Sequence, residues 1–183
     1  MRAFLAFEAS PAVIQNLLFV EEELRNTQAD VKLVDKDNLH FTVKFLGEIP
    51  ESLIAEIDKR VGALVMPKMD VSVRGLGAFP DARHPRIVWA GVSSEGAPVV
   101  SKVAQQVIDA LKGIGEEEER RYHPHITVAR VRSPRNQEAL AKVLRDRSDT
   151  DFGRTAITAL KLKSSTLTPN GPIYRDVREY ALQ

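Results

Sequence analysis

The sequence predicts an α+β fold of two small pseudo-symmetric lobes with a groove between their sheets. Stretches with helical spacing alternate with strand-like stretches along all 183 residues. The order of elements in the second half resembles that in the first, which is typical of an internal duplication. No segment rich in Gly, Ser or Pro separates the halves. We therefore expect the two lobes to pack into one unit.

The first half is assigned from the spacing of its apolar residues. Val13, Leu17, Val20 and Leu24 recur every three or four residues, which gives a helix one apolar face. Strands are assigned where apolar residues recur with a period of two. The predicted elements are a strand Arg2–Ala9, a helix from Pro11 to about Asn26, a strand His40–Leu46 ended by Gly47, a helix from Pro50 to about Leu64, and strands Met69–Leu76 and Arg86–Val92.

The second half follows the same rules. Its predicted elements are a helix from Pro98 to about Leu111, a strand His125–Val131, a helix from Pro134 to about Arg147, and two late strands, Thr155–Ser164 and Ile173–Ala181. Each half therefore contains one polar strand that begins with a histidine.

Composition excludes several classes of protein. The chain has no cysteine, which excludes disulfides, thiolate metal sites and cysteine nucleophiles and suits a reducing cytoplasm. No run of about 18 apolar residues is present, so we expect no membrane span. The first residues lack the apolar core of a signal peptide. A net charge of +1 does not by itself indicate a nucleic-acid binder, and a local basic groove stays open.

One short pattern occurs twice, as His-apolar-Thr-Val at His40 and again at His125. Side chains of a strand alternate between its faces, so His40 and Thr42 share one face, and His125 shares another with Thr127. If the two strands occupy equivalent places in the lobes, both faces line one groove. Four intervening residues are expected to face the core: Phe41, Val43, Ile126 and Val128.

Two imidazoles and two hydroxyls suit phosphoester hydrolysis or transfer. Histidine titrates near pH 6.5, so one ring can accept a proton while another donates one. Threonine hydroxyls can donate to the phosphate oxygens. A single His-Thr pair in a strand is usually only a polar stripe, and the repetition is what favours function. This chemistry needs no cofactor or metal.

Three neighbouring residues are weaker candidates. Arg130 is a candidate phosphate ligand, although strict alternation places it on the face opposite His125 unless the strand bulges near Ala129. Lys44 alternates onto the face of His40 and is predicted either to contact RNA or to be exposed. Phe45 is predicted to lie in the core, with base stacking as the alternative.

Other polar and aromatic residues have plainer interpretations. Tyr122 is a second candidate for base stacking. His123 and His125 form a His-x-His pair, but no acidic or cysteine partner lies at ligand spacing, so zinc is not expected. His84 is predicted at the surface. The acidic run Glu116–Glu119 is predicted to be solvated and to point away from the groove.

The sequence resembles the RNA 2′,3′-cyclic phosphodiesterases, or 2′-5′ RNA ligases, of the two-histidine phosphoesterase superfamily. The resemblance rests on "NLHFTVKFLGE" and "HPHITVAR", and extends to "MRAFLAFE", "GAFPDARHPRIVWAGV" and "LTPNGPIY". It implies a single bilobal phosphoesterase domain over residues 1–183. Each lobe would be an antiparallel sheet with helices on its outer face, around a central cleft.

The resemblance also implies roles for the residues singled out above. His40 would be the proton donor to the ribose 3′ oxygen and His125 the proton acceptor from water, leaving a 2′-phosphate. Thr42, Thr127 and Arg130 would bind the phosphate. The substrate would be RNA with 2′,3′-cyclic phosphate ends, including tRNA fragments, and reversible 2′-5′ ligation would be a further activity. Independently of the resemblance, the absence of cysteine, signal peptide and membrane span predicts a cytoplasmic protein, and a monomer is expected because nothing marks a large exposed apolar face. The motifs are nearly symmetric, so the residues alone do not decide which histidine is the acid.

Two other classes of function remain alternatives from sequence. One is a non-catalytic module that binds RNA ends, against which both intact histidine motifs count. The other is a protein-interaction domain of similar fold, for which paired polar motifs would be unnecessary.

Overall fold

A computed structural model describes residues 1–117 and 120–183 and has the predicted α+β architecture. Glu118 and Glu119, half of the acidic run, lie outside the described residues. The elements within the described residues are β1 (Arg2–Glu8), α1 (Pro11–Asn26), β2 (Val31–Leu33), β3 (His40–Glu48), α2 (Ile54–Gly62), β4 (Met69–Phe79), β5 (Ile87–Val92), α3 (Ala97–Ala110), β6 (Ile126–Val131), α4 (Gln137–Asp146), β7 (Asp151–Ile157), β8 (Ala159–Thr168) and β9 (Gly171–Ala181).

The strands form one curled antiparallel sheet in the order β7-β4-β5-β6-β3-β1-β8-β9, with β2 paired to β6. Its two four-stranded halves meet at β3 and β6, where Phe41 pairs with Ile126. Counted outward from this junction, β3-β1-β8-β9 mirrors β6-β5-β4-β7. The two lobes predicted from sequence are these halves, and the two histidine strands are neighbours at their centre.

The sequence suggested that each lobe is one successive half of the chain, and this prediction is wrong. The first lobe is built from both ends of the chain, β1, β3, β8 and β9, and the second from its middle, β4 to β7. The predicted single strand Thr155–Ser164 is accordingly two strands. Thr158 is the one residue between β7 in the second lobe and β8 in the first. No glycine or proline lies at this crossing, so the alternation of apolar and polar residues runs through it and the sequence predicted one strand.

Several element boundaries differ from the prediction: α2 begins only at Ile54, after a 3₁₀ turn at Glu51–Leu53, and β4 continues to Phe79. Two further differences lie at left-handed residues. Gly47 was predicted to end β3. It adopts a left-handed φ of 63°, which glycine tolerates, and the strand continues past it to Glu48. Asn136 is left-handed with φ 52°, so α4 begins after it and not at Pro134. α1 has the predicted bounds and buries Val13, Leu17, Val20 and Leu24 against the rest of the fold.

The helices and the sheet share one hydrophobic core. α1 packs against β7 and α4, while α3 contacts β3 and β4. Phe41, Val43, Ile126 and Val128 are buried in this core, as their alternation predicted. None of the described helices is long and apolar enough to cross a bilayer.

Candidate active site

His40 and Thr42 lie on the face of β3 that turns away from the core. Both are half-buried, whereas the intervening Phe41 is fully buried. The His40 Nε2 atom lies 3.0 Å from the Thr42 hydroxyl oxygen. The strand therefore presents its imidazole and its hydroxyl together, as alternation predicted.

His125 and Thr127 repeat this arrangement at the start of β6. Both are half-buried, and Ile126 between them is buried. The Nδ1 atom of His125 donates a hydrogen bond to the carbonyl of His123 at 2.6 Å. A carbonyl can only accept, so Nδ1 carries the proton and Nε2 is left to accept one in the neutral ring.

The pairing of Phe41 with Ile126 brings the two motifs together. In antiparallel register His40 then lies toward Thr127, and Thr42 toward His125, on the opposite face of the sheet. The charge of His125 contributes to lowering the pKa of His40, in line with this proximity. Two imidazoles and two hydroxyls thus surround one region of the cleft.

Arg130 also faces the cleft, and the strict alternation that placed it elsewhere is wrong. β6 has a register shift against β5 between the pairs Ala129–Val88 and Thr127–Trp89. This bulge lets Val128 and Ala129 both turn to the core, so Arg130 returns to the face of Thr127. Burial raises the pKa of Tyr174, a neighbour of His40, and the positive charge of Arg130 opposes that rise.

The equivalent bulge in β3 reverses the predictions for Lys44 and Phe45. The register against β1 shifts between the pairs Lys44–Leu5 and Thr42–Ala6. Lys44 is only 1% exposed, and its Nζ donates to the carbonyl of Glu116 at 2.7 Å, away from the cleft. Phe45, predicted in the core, is 43% exposed instead.

Aromatic residues that sequence reasoning did not assign to the site enclose His40. The ring of Phe4 stacks on the imidazole at 5.0 Å between centroids. Tyr174 meets it edge-on at 5.5 Å. Phe45 also lies 6.2 Å from Phe4. Phe4 and Tyr174 fall within "MRAFLAFE" and "LTPNGPIY", which carried part of the family resemblance, and that was the available signal.

A second aromatic group surrounds His125. Its ring meets Phe79 edge-on at 5.0 Å and lies 6.3 Å from Trp89. His123 packs 4.9 Å from Trp89. Trp89 in turn covers Gly77, where an added Cβ would lie 2.3 Å from the indole ring. These aromatic residues hold the His125 ring as Phe4 and Tyr174 hold that of His40.

The remaining candidates lie outside this constellation. Tyr122 is 9% exposed, so it is not an open stacking surface. His84 is exposed, as predicted. Glu116 and Glu117 are exposed as well. Within residues 1–117 and 120–183 no three His, Cys, Asp or Glu side chains form a group able to hold a metal ion.

An ion-pair network lies beside His40 on the same face. Lys163 is 8% exposed and binds Glu8 at 2.9 Å and Asp176 at 2.6 Å. Burial lowers the pKa of His40 to about 4, and the charge of Lys163 lowers it too. A hydrogen bond to the backbone of Asn38 and the charge of Glu8 act in the opposite direction.

The second histidine is shifted in the same direction. Burial lowers the pKa of His125, and the hydrogen bond to the His123 carbonyl partly offsets this. Both imidazoles are thus disposed to be neutral in the free protein. An anion between them favours their charged forms.

Comparison with known proteins places this geometry in context. The family model described as the 2′-5′ RNA ligase superfamily matches residues 14–165. A protein of Aeropyrum pernix named RNA 2′,3′-cyclic phosphodiesterase is 35% identical over 168 residues, covering 91% of this chain and 95% of that protein. One of the same name from Archaeoglobus fulgidus is 35% identical over 180 residues, covering 98% and 99%. The crystal structure of TT0787 from Thermus thermophilus matches with a TM-score of 0.79 and 25% identity, covering 100% and 98% of the two chains.

Proposed function

This chain belongs to the 2′-5′ RNA ligase superfamily, and we propose that it hydrolyses the 2′,3′-cyclic phosphate ends of RNA to 2′-phosphates. The observation that carries the proposal is the pair of half-buried imidazoles, each with a threonine on its own face, on the two central strands. Relatives matched over nearly their whole length are named RNA 2′,3′-cyclic phosphodiesterase, which favours a hydrolase over a non-catalytic RNA-end binding module.

His125 is the proposed general base. Its hydrogen bond to the His123 carbonyl fixes the ring and leaves Nε2 to take a proton from water. The water oxygen forms a new bond to phosphorus while the bond from phosphorus to the ribose 3′ oxygen breaks. The 2′ oxygen keeps the phosphate.

His40 is the proposed general acid. Its imidazolium gives a proton to the departing 3′ oxygen, so the water and the leaving group exchange one proton each with the protein. The negative phosphate supplies the field that charges His40 in the complex, because its surroundings in the free protein hold its pKa at about 4. Ligation into a 2′-5′ junction is the same step with a ribose 5′ hydroxyl in place of water, and the reverse of that step cleaves the junction and re-forms the cyclic phosphate.

Thr42, Thr127 and Arg130 are the proposed phosphate ligands. The hydroxyls lie on the cleft face beside the histidines, and the bulge in β6 brings the guanidinium to that face. Fixed donors of this kind stabilise the charge that redistributes over the phosphate oxygens in the transition state. Every catalytic role in this mechanism is filled by a side chain, and no metal ion takes part in a step.

The test is hydrolysis of a short oligonucleotide with a 2′,3′-cyclic phosphate end, in EDTA, with the product isomer identified. We expect a 2′-phosphate and a loss of about 10²–10⁴-fold in His40→Ala and in His125→Ala. An inactive wild type, or unchanged activity in both variants, would contradict the proposed two-histidine phosphodiesterase activity. Loss of wild-type activity in EDTA would contradict the metal-independent mechanism.

We further propose that residues 1–183 act as one bilobal domain and as a cytoplasmic monomer on fragments such as cleaved tRNA. The continuous core across both lobes supports the first point. The cysteine-free composition is compatible with a reducing compartment. A mass near 20.4 kDa by light scattering is the expected result for a monomer.

A further inference from the structure

A groove leads away from the cleft on the side of His125. It encloses about 920 Å³, and Trp89 and His123 line its end nearest to His125. The rings of both residues lie within 6.3 Å of the His125 ring, so groove and cleft share these walls. The other walls are one face of α3, the segment Arg121–Pro124 and the adjoining parts of β4 and β5.

The groove is lined by both apolar and polar side chains and carries two cations without carboxylate partners among the described residues. Lys102 from α3 and Arg121 from the opposite wall are exposed, and neither forms a salt bridge within the described part of the chain. Arg74, by contrast, is paired with Asp149 at 2.7 Å. The carboxylate of Asp109 accepts a hydrogen bond from Gln105 at 2.9 Å. That bond does not neutralise Asp109, so the described lining keeps two unpaired cations against one carboxylate, and this positive excess suits a phosphate backbone.

The pseudo-symmetry of the lobes is broken at the position that opens this groove. Trp89 of β5 pairs with Thr127 as Ala6 of β1 pairs with Thr42. Two residues further along, β1 carries Glu8, which is bound by Lys161 and Lys163. β5 carries Gly91 there, which lines the groove.

A side chain at Gly91 would crowd this opening. An added Cβ would lie 3.1 Å from the Trp89 ring and 3.2 Å from the carbonyl oxygen of Arg74. The His40 side of the cleft is thus occupied by ion pairs, whereas the His125 side stays open. A polymeric substrate has a path on the second side.

We propose that this groove binds the RNA strand on the 5′ side of the terminal cyclic phosphate, so that oligonucleotides are better substrates than mononucleotides. The proposal rests on the proposed function, because the strand is placed by its end in the cleft. The face of α3 from Pro98 to Asp109 is about 16 Å long, enough for a few extended nucleotides. Trp89 and His123, at the end of the groove nearest to His125, are in place to contact the base next to the reacting end.

The experiment compares cytidine 2′,3′-cyclic phosphate with a pentanucleotide that has the same cyclic end. We expect the wild type to have a higher kcat/KM for the pentanucleotide. In the double variant Lys102→Glu/Arg121→Glu, the ratio of the two kcat/KM values falls at least about 10-fold, because the variant removes two cations that bind the phosphate backbone. A matched charge reversal at exposed lysines outside the groove, Lys59→Glu/Lys68→Glu, keeps the wild-type ratio.

Binding separates this proposal from the proposed function. A fluorescent pentanucleotide with a 2′-phosphate end, the expected product, needs no turnover. The groove variant weakens its Kd and lowers the slope of log Kd against log salt, by about 0.7 for each phosphate that is no longer neutralised. If the groove variant keeps the wild-type Kd, salt slope and substrate ratio, the proposal that this groove binds the RNA strand is wrong. Failure of the wild type to hydrolyse either substrate, with groove-dependent binding intact, would overturn only the activity.

Discussion

Glu8 lies directly opposite His40 in the β1–β3 ladder, and Lys163 of β8 binds the Glu8 carboxylate at 2.9 Å. The proposed acid therefore has both a carboxylate and an ammonium on its own face. Lys161, Asp176 and Glu179 complete this charged group from β8 and β9. Arg130 of β6 is a further cation on the cleft face, and His125, just before β6, is the second titratable ring.

The first prediction concerns the pKa of His40. Lys163→Gln removes a cation that disfavours the imidazolium and leaves the Glu8 charge in place, so the pKa rises above its value of about 4. NMR titration of the His40 ring measures this. Lys161→Gln is the matched control, because Lys161 binds the same carboxylates, whereas Lys163 is the lysine whose charge lowers the pKa of His40. An equal or lower pKa in Lys163→Gln would contradict the network's role.

The second prediction concerns the threonine hydroxyls. Thr42→Val and Thr127→Val remove a donor to the phosphate while nearly preserving side-chain shape, and each lowers kcat/KM by about 10²-fold. Thr42→Ser and Thr127→Ser keep the hydroxyl and retain most of the activity. Equal losses in the serine and valine variants would mean that packing matters and the hydroxyl does not.

The third prediction follows from the bulge in β6. Because the bulge brings Arg130 to the cleft face, Arg130→Met removes a charged contact worth about 1.5–3 kcal/mol and lowers kcat/KM roughly 10- to 100-fold. Arg132, which is exposed just beyond the strand, is the control, and Arg132→Met keeps wild-type kinetics. Similar kinetics in both variants would place Arg130 outside the phosphate site.

The fourth prediction concerns stability away from the site. Glu21 is 6% exposed on α1, and burial raises its pKa to about 7 from an ordinary value of 4.5. A carboxyl with a raised pKa in the folded state costs stability as pH rises through 4.5 to 7, and costs nothing below that window. The free energy of unfolding of Glu21→Gln minus that of the wild type should therefore be larger at pH 8 than at pH 4, by at most about 3 kcal/mol.

Urea unfolding of the wild type and of Glu21→Gln at both pH values measures this difference. Glu22→Gln, at an exposed neighbour, is the control and should show little pH-dependent change. The same difference between variant and wild type at pH 4 and pH 8 would show that Glu21 has an ordinary pKa in the folded protein.

The sequence predicted the motif faces correctly because each motif precedes the bulge of its strand. Alternation holds from His40 to Val43 and from His125 to Val128. It fails immediately afterwards, at Lys44, Phe45 and Arg130. A bulge adds one residue and exchanges the two faces, and its presence depends on the register of neighbouring strands.

The same dependence on distant pairing limited the fold prediction. Helix α1 was predictable because its apolar spacing is local. The interleaving of the lobes was not, because β8 finds its partner β1 across nearly the whole chain. Tyr174 of β9 reaches His40 only through that pairing, and Lys163 joins Glu8 in the same way.

The central claim is that His40 and His125 act on one phosphate. The most direct test is NMR titration of both rings with and without adenosine 2′-phosphate, an analogue of the expected product. A phosphate held between the rings favours both imidazolium forms, so we expect the pKa values of His40 and His125 to rise together. A rise in only one of them, or in neither, would contradict a shared phosphate site.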